Sequence, residues 1–336
     1  MKPLALAAFA PALALALGLA PARPAPGDEP AKPASRTFEF TYSVKVPAPA
    51  AGTKHLDAWI PLPLEDDLQK VADLKVDAKS ADPAVQAVKA ELTKDDEYGN
   101  RFAHVGVDNP KGDLTVSWTA TVTRTADSGQ GTGPMHARFT EPDVLVPLDG
   151  KAVELSKEVL GDKPPEAVSA RAKRIYDNVL STMVYDKQAP GWGKGDFNRA
   201  CEVGKGNCTD FHAKFTGIAR ASGIPVRFTM GIPLSTEAKG TAAGYHCWAH
   251  FRDGDHWVPV DISEAQKVNA KDPAKAQWFF SHLDPDRLAL TVGRDLTLAP
   301  KQQGAKLPFM AYPYVEADGK PVDVPKENRS FTWQNK

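Results

Sequence analysis

The chain is poor in cysteine, with three in 336 residues. That is far too few for the disulfide framework on which small secreted scaffolds depend. It also lacks an excess of charge of either sign: 41 Lys and Arg against 42 Asp and Glu leave a formal net charge of -1. The basic surplus that a nucleic acid or an anionic membrane surface would attract is absent, so neither is expected as a partner. Beyond residue 20 no apolar run is long enough to span a bilayer, and there is no internal repeat. What remains is ordinary globular composition, 42% hydrophobic and 25% charged, in a chain long enough for about two domains.

The one long apolar run is at the N-terminus. Met1-Lys2 precedes an Ala/Leu-rich stretch through Ala20, and Ala20-Pro21-Ala22 stands before Arg23. This reads as a secretory signal over residues 1–22, cleaved after Ala22, with export to the periplasm or the cell exterior and no stable membrane insertion afterwards. No cysteine stands at the expected junction, which argues against a lipoprotein. In an oxidising compartment an odd cysteine count leaves at least one free thiol or an intermolecular bond.

Residues 23–36 are Pro/Ala-rich and have nothing to bury, as in a linker. Phe38, Phe40, Tyr42, Val44 and Val46 then alternate with polar residues. Leu56, Ala58 and Ile60 repeat the pattern, and Leu114, Val116, Trp118, Ala120 and Val122 give its clearest form. These period-2 runs predict an antiparallel β-sandwich over residues 37–145. Val85–Leu92 is ambiguous between helix and strand, and 126–135 is a Gly-rich loop. Helices follow: one over Lys151–Leu160 ended by Gly161, and one begun by Pro164-Pro165 with Val168, Ala172, Ile175, Val179, Leu180 and Met183 on one face. Residues 186–206 are loop-rich and lead into Cys208 as a wall of the expected cleft. Ser235–Gly244 carries two glycines and is a candidate lid. The expected division is a sandwich over 37–145, a catalytic domain over 146–290, and an extension over 291–336 that packs on the domains. The fold class is α+β.

The chemistry centres on Cys208. It follows Gly204-Lys205-Gly206-Asn207, and behind it Phe211, Phe215, Ile218 and Ala219 recur at helical spacing until Gly223. A cysteine at a helix N-terminus feels the positive end of the dipole, which favours thiolate. His246 follows 38 residues later and Asp261 a further 15. Between them Asp253-Gly254 is a strong hairpin signal. With that dipeptide at the turn, Arg252 pairs with Asp255, His250 with Trp257, Trp248 with Pro259, and His246 with Asp261, Cβ atoms ~5 Å apart on one face. The register supplies a thiol nucleophile with a base and a carboxylate to orient it. His250 shares the face of His246 but has Trp257 opposite, so His246 is preferred as base. Asp261 is alternatively a cap for whatever follows. Asp210 reads as a first-turn carboxylate serving amides, and His212 and His256 as structural or surface residues.

Four segments together resemble the transglutaminase-like superfamily: Gly206-Asn207-Cys208-Thr209-Asp210-Phe211-His212, Arg220-Ala221-Ser222-Gly223-Ile224-Pro225-Val226-Arg227, His246-Cys247-Trp248, and Trp257-Val258-Pro259-Val260-Asp261. The resemblance covers roughly residues 165 to 265. It implies a papain-like α/β core in which Cys208 is nucleophile, His246 general base and acid, and Asp261 the orienting carboxylate. It does not fix the reaction, because members include crosslinkers, peptidases and amidases, and some are inactive.

The expectation is therefore an exported cysteine acyl-transfer enzyme acting on amide bonds of a protein or peptide, hydrolytic rather than crosslinking because water needs no second binding site. The alternatives are a protein-glutamine transglutaminase and a catalytically silent binding protein whose β-domain holds a cell-envelope polymer. No cofactor is expected. Cys208, His212, His246 and His250 can be drawn as four zinc ligands, but the close ligand pairs of structural zinc sites do not occur, so no metal is expected. The Cys208 N–H is one oxyanion donor, with Tyr185, Gln188 and Asn198 as candidates for the second. The predicted register turns Cys247 away from His246, leaving a Cys201–Cys247 bond behind the site open. A Cys201–Cys208 bond would switch the site off.

Overall fold

The computed structural model describes residues 34–85 and 87–336. The expected signal segment and all but the last three residues of the expected linker lie outside them. In chain order come strands β1 (Ser35–Val46), β2 (His55–Pro61), β3 (Gln69–Ser80), β4 (Glu91–Lys94), β5 (Arg101–Asp108) and β6 (Leu114–Thr125). Then follow helices α1 (Lys151–Leu160) and α2 (Val168–Thr182), strand β7 (Val184–Tyr185), helix α3 (Phe197–Val203), strand β8 (Lys205–Gly206) and helix α4 (Cys208–Ala221). Strands β9 (Val226–Pro233), β10 (Lys239–Thr241), β11 (His246–Asp253) and β12 (His256–Val260) precede helices α5 (Ile262–Asn269) and α6 (Pro273–Trp278). The last strands are β13 (Arg287–Val292), β14 (Tyr314–Ala317), β15 (Lys320–Pro321) and β16 (Arg329–Asn335).

Two antiparallel sheets form the sandwich, in the orders β10-β16-β1-β6-β3 and β15-β14-β2-β5-β4. The alternation read from the sequence has its cause here. Phe38, Phe40, Tyr42, Val44 and Val46 of β1 and Val116, Trp118, Ala120 and Val122 of β6 face Leu56, Ala58, Ile60, Ala103 and Val105 across one apolar core. A third antiparallel sheet, β12-β11-β9-β13, carries α4 on β11 and β9, and α1, α2 and α3 pack in turn on α4. Every α4 residue from Cys208 to Arg220 is buried. The class is α+β.

Several boundaries differ from the sequence reading. β1 begins at Ser35, so the last two residues of the expected linker are strand, and Arg36 reaches the Asp286 carboxylate at 2.5 Å. β3 escaped notice because it is an edge strand with Lys70, Lys75 and Lys79 along it and no run of fully buried residues, the charged pattern that protects an exposed edge. The 186–206 stretch is not all loop, since it holds α3 with Asp196 as its N-cap. α2 starts at Val168, three residues after Pro165. The Ser235–Gly244 lid is stitched down: Lys239, Gly240 and Thr241 pair with Gln334, Trp333 and Thr332 of β16. The sandwich expected from residues 37–145 draws four of its ten strands, β10, β14, β15 and β16, from beyond residue 145. Among the described residues no helix is long and apolar enough to cross a membrane.

Candidate active site

Cys208 is the first residue of α4. The N-cap is Asn207, whose side-chain oxygen accepts from the Thr209 N–H at 3.0 Å, while Asp210 accepts from the Asn207 N–H at 3.0 Å. This reciprocal pair satisfies amides that a helix start leaves free. Asp210 does more than the first-turn role expected of it. Its carboxylate also accepts from Gly193 N–H at 2.8 Å and Gly195 N–H at 3.2 Å, tying the 186–206 wall to the helix that carries the thiol. A Cβ on Gly206 would lie 2.2 Å from the Asp210 Oδ2, so the lead-in needs glycine at that position for room.

His246 opens β11, and its Nε2 donates to Asp261 Oδ2 at 2.7 Å, with Glu264 Oε1 at 3.9 Å. The expected contact is made, but the expected register is not. Asp253 pairs with His256, Arg252 with Trp257, His250 with Pro259 and Ala249 with Val260. The turn is Gly254-Asp255, with φ +56° at Gly254, the first central position, where this kind of hairpin turn takes glycine. The slip is two residues, so faces are preserved. Asp261 lies just past β12, where it can reach His246 across the strand.

Asp261 plays both parts the sequence left open. One oxygen caps α5, accepting from Glu264 N–H and Ser263 Oγ at 3.2 Å each. The other takes His246 and also Arg287 Nη1, at 3.2 Å. Arg287 in turn grips Asp284 with Nη2 and packs its guanidinium 5.0 Å from the Trp248 ring. Burial by itself would raise the Asp261 carboxyl, but the charge and hydrogen bond of His246, with Arg287 behind them, hold it well below the usual carboxylate range. Arg287 was invisible in the sequence because it enters from a strand outside the recognised motifs.

The titration of the thiol and imidazole is coupled. Burial alone would push the Cys208 thiol up. The neighbouring Cys247 thiol and the His246 imidazole with its charge outweigh burial and hold it well below an ordinary thiol. For His246 burial opposes protonation, but Asp261 and the Cys208 thiolate raise the imidazole to about 10. The favoured state is thiolate with imidazolium. Cys247, the other thiol of the pair, is pushed well above its ordinary value by burial and by Cys208, so it stays an S–H donor. Cys247 therefore does not turn away behind the site. All three cysteines are free thiols, with Cys201 half-buried on α3.

The remaining candidates separate clearly. His212 is a buried strut: Nδ1 donates to the Cys208 carbonyl at 2.8 Å, and Nε2 accepts from Ile262 N–H at 3.3 Å, spanning the starts of α4 and α5. Burial lowers its pKa, as befits a neutral ring. His250 binds Asp127 of the Gly-rich 126–135 loop at 2.9 Å, and burial with the nearby Arg227 charge drives it down to about 4. It is thus neutral at pH 7 and committed elsewhere. His256 is exposed. Among the described residues no His, Cys, Asp and Glu group is arranged to hold a metal. Of the oxyanion candidates, Gln188 and Asn198 are exposed, whereas Tyr185 is close enough to Cys208 for the thiolate, after burial, to raise its phenol. Tyr245 also belongs to the site, its hydroxyl accepting from Asn207 Nδ2 at 2.9 Å.

This geometry sits within a stretch of wider kinship, for residues 153–262 match the transglutaminase-like superfamily. The chain carries a transglutaminase-like core. A protein of Haemophilus influenzae with no assigned role is 26% identical over 339 residues, covering 86% of this chain and 89% of that protein. In shape the chain is similar to a crystal structure from Cytophaga hutchinsonii that is provisionally called a cysteine protease. The TM-score is 0.56 at 14% identity, over 90% of this chain and 98% of that one, a likeness of fold. Similarity over these lengths takes in the sandwich as well as the transglutaminase-like core.

Proposed function

We propose that the protein is an exported cysteine acyl-transfer enzyme that hydrolyses amide bonds in proteins or peptides. The observation that carries the reading is the buried His246–Asp261 bond at 2.7 Å, with the Cys208 thiol held at the N-terminus of α4. The Cys208 thiolate adds to the amide carbonyl, forming the C–S bond. The Cys208 N–H at the helix start is positioned to serve the developing oxyanion. His246 then gives its proton to the amine as the C–N bond breaks, leaving a thioester. Water attacks the thioester as His246 takes a proton back, and the acid and free thiolate are released. Asp261 holds the imidazole in one orientation and stabilises its charge throughout. Export rests on the sequence of residues 1–22.

The test compares the parent with Cys208→Ala on an unfolded protein substrate, following both new amino termini and incorporation of an added primary amine. The reading expects new termini from the parent and neither product from the variant. Equal turnover by both proteins would end it. Amine incorporation at the expense of hydrolysis would assign the protein to crosslinking instead.

A further inference from the structure

A pocket lined in part by Tyr245, whose hydroxyl bonds the residue before Cys208, is not used by the chemistry above. It has a volume of about 160 Å³ and is lined by Tyr245, Leu307, Phe309, Met310, Tyr312 and Tyr314 among others. Among the described residues none with a formal charge lines it. A cavity of roughly 150 Å³ with apolar walls is enough to hold a benzene-sized group. We propose that this pocket receives an apolar side chain, of leucine or phenylalanine size, on the acyl side of the scissile amide. The proposal rests on the acyl-transfer reading and gives it a substrate class.

Three observations support it. First, the pocket wall is hydrogen-bonded to the residue that precedes the nucleophile. The Tyr245 N–H donates to Tyr312 Oη at 3.1 Å, and Asn207 Nδ2 donates to Tyr245 Oη at 2.9 Å, where Asn207 is the residue before Cys208. Second, its wall is preformed. Leu296 and Leu307 exchange backbone hydrogen bonds of 2.7 and 3.0 Å, the Met310 carbonyl accepts from Thr291 Oγ1 at 2.5 Å, and the Ala311 carbonyl accepts from Tyr42 Oη at 3.1 Å. A rigid apolar wall spends little order on binding. Third, the other direction is taken. His246 must hand its proton to the departing amine, so the amine half of the substrate lies on the imidazole side. There a separate cleft of about 420 Å³ is lined by His246 itself with Glu264, Asp284 and Arg287. The acyl half runs the opposite way, past Asn207 and Tyr245. Most of the wall comes from residues 307–314, outside the family match at 153–262, while Met230 and Tyr245 belong to the matched stretch.

The experiment uses the full chain and N-acetyl-aminoacyl chloromethyl ketones bearing leucine, phenylalanine or aspartate, with glycyl-extended versions that move the side chain one residue back. The thiolate displaces chloride, forming the S–C bond, and alkylation of Cys208 is followed by intact mass. We expect the leucyl and phenylalanyl probes to react at least tenfold faster than the aspartyl probe in one of the two positions. Leu307→Asp, or Leu307→Asn should the first not fold, is expected to bring that ratio toward one or invert it. Equal rates in both positions, or a ratio unmoved by either variant, would overturn the pocket. Iodoacetamide, which has no side chain, separates the two readings. Should it fail to alkylate Cys208 at pH 7, the activated thiol is wrong, and the probe ratio at pH 9 still reports on the pocket.

Discussion

At the scale of the residue, the site depends on how four buried charges share partners. Asp261 is fully buried and gives one oxygen to both His246 and Arg287. Truncating Arg287 to methionine removes a partner from a buried carboxylate, and breaking a buried pair on one side typically costs about 3–5 kcal/mol. Denaturant unfolding of Arg287→Met should show a loss of that size, with Arg287→Lys recovering part, since lysine keeps the charge but not the fork. A loss under about 1 kcal/mol would mean that Arg287 does not hold Asp261.

The thiol and imidazole give a second prediction at this scale. In the unfolded chain the imidazole gains a proton below pH ~6.5 and the thiol loses one above ~8.5. The folded pair keeps one proton, on His246, until about pH 10. Below ~6.5 the unfolded chain holds more protons, so stability falls as pH falls. Above ~8.5 the folded pair holds more, so stability falls as pH rises. The stability difference between the parent and a Cys208→Ser, His246→Gln double variant should be flat from about pH 6.5 to 8.5 and decline on both sides. A difference that rises or falls steadily through that window would contradict the ion pair.

At the scale of the element, the start of α4 decides the geometry of the nucleophile. Gly206 faces the Asp210 carboxylate, which four elements of structure hold in place: the amides of Gly193, Gly195 and Asn207 and its own helix. Gly206→Ala should cost about 1–3 kcal/mol through overpacking and slow Cys208 alkylation as the helix start shifts. Unchanged rate and stability would show that the lead-in glycine is dispensable. Much of this element was legible. The helix behind Cys208 followed from Phe211, Phe215, Ile218 and Ala219, and the pairing of β11 with β12 from the hairpin signal, though not the register that was to set His246 opposite Asp261. The register was misread by two residues because Asp253-Gly254 and Gly254-Asp255 are both good turns, and local chemistry does not choose between them. The roles of His212, Cys247 and Arg287 depend on contacts between distant segments, so no local pattern could announce them.

At the scale of the molecule, the sandwich and the core are interleaved. β16 pairs with β1 on one side and with β10 on the other, and β10 lies four residues before Tyr245 in the chain. Trp333, 6% exposed, lies opposite Phe40 and against Gly240. Trp333→Ala should cost about 3–5 kcal/mol, as large-to-small changes in a core do, and slow Cys208 alkylation because the strand leading to His246 loses its anchor. Lost stability with an unchanged alkylation rate would show that the anchor does not reach the site. The alternation of β1, β2 and β6 made the sandwich legible. Its completion by β14 and β16 was not, because their partners β2 and β1 lie more than 200 residues away in sequence, and β15 only extends β14 by a short hairpin.

The central claim is that Cys208 and His246 form a thiolate–imidazolium pair ready for acyl transfer. Its most direct test is the rate of Cys208 alkylation by iodoacetamide as a function of pH, in the parent and in His246→Ala. The account predicts a parent rate that holds far below pH 8, and a variant whose apparent thiol pKa climbs to ~8.5 or above, since burial then acts with less opposition. The same ordinary pKa in both proteins would contradict it.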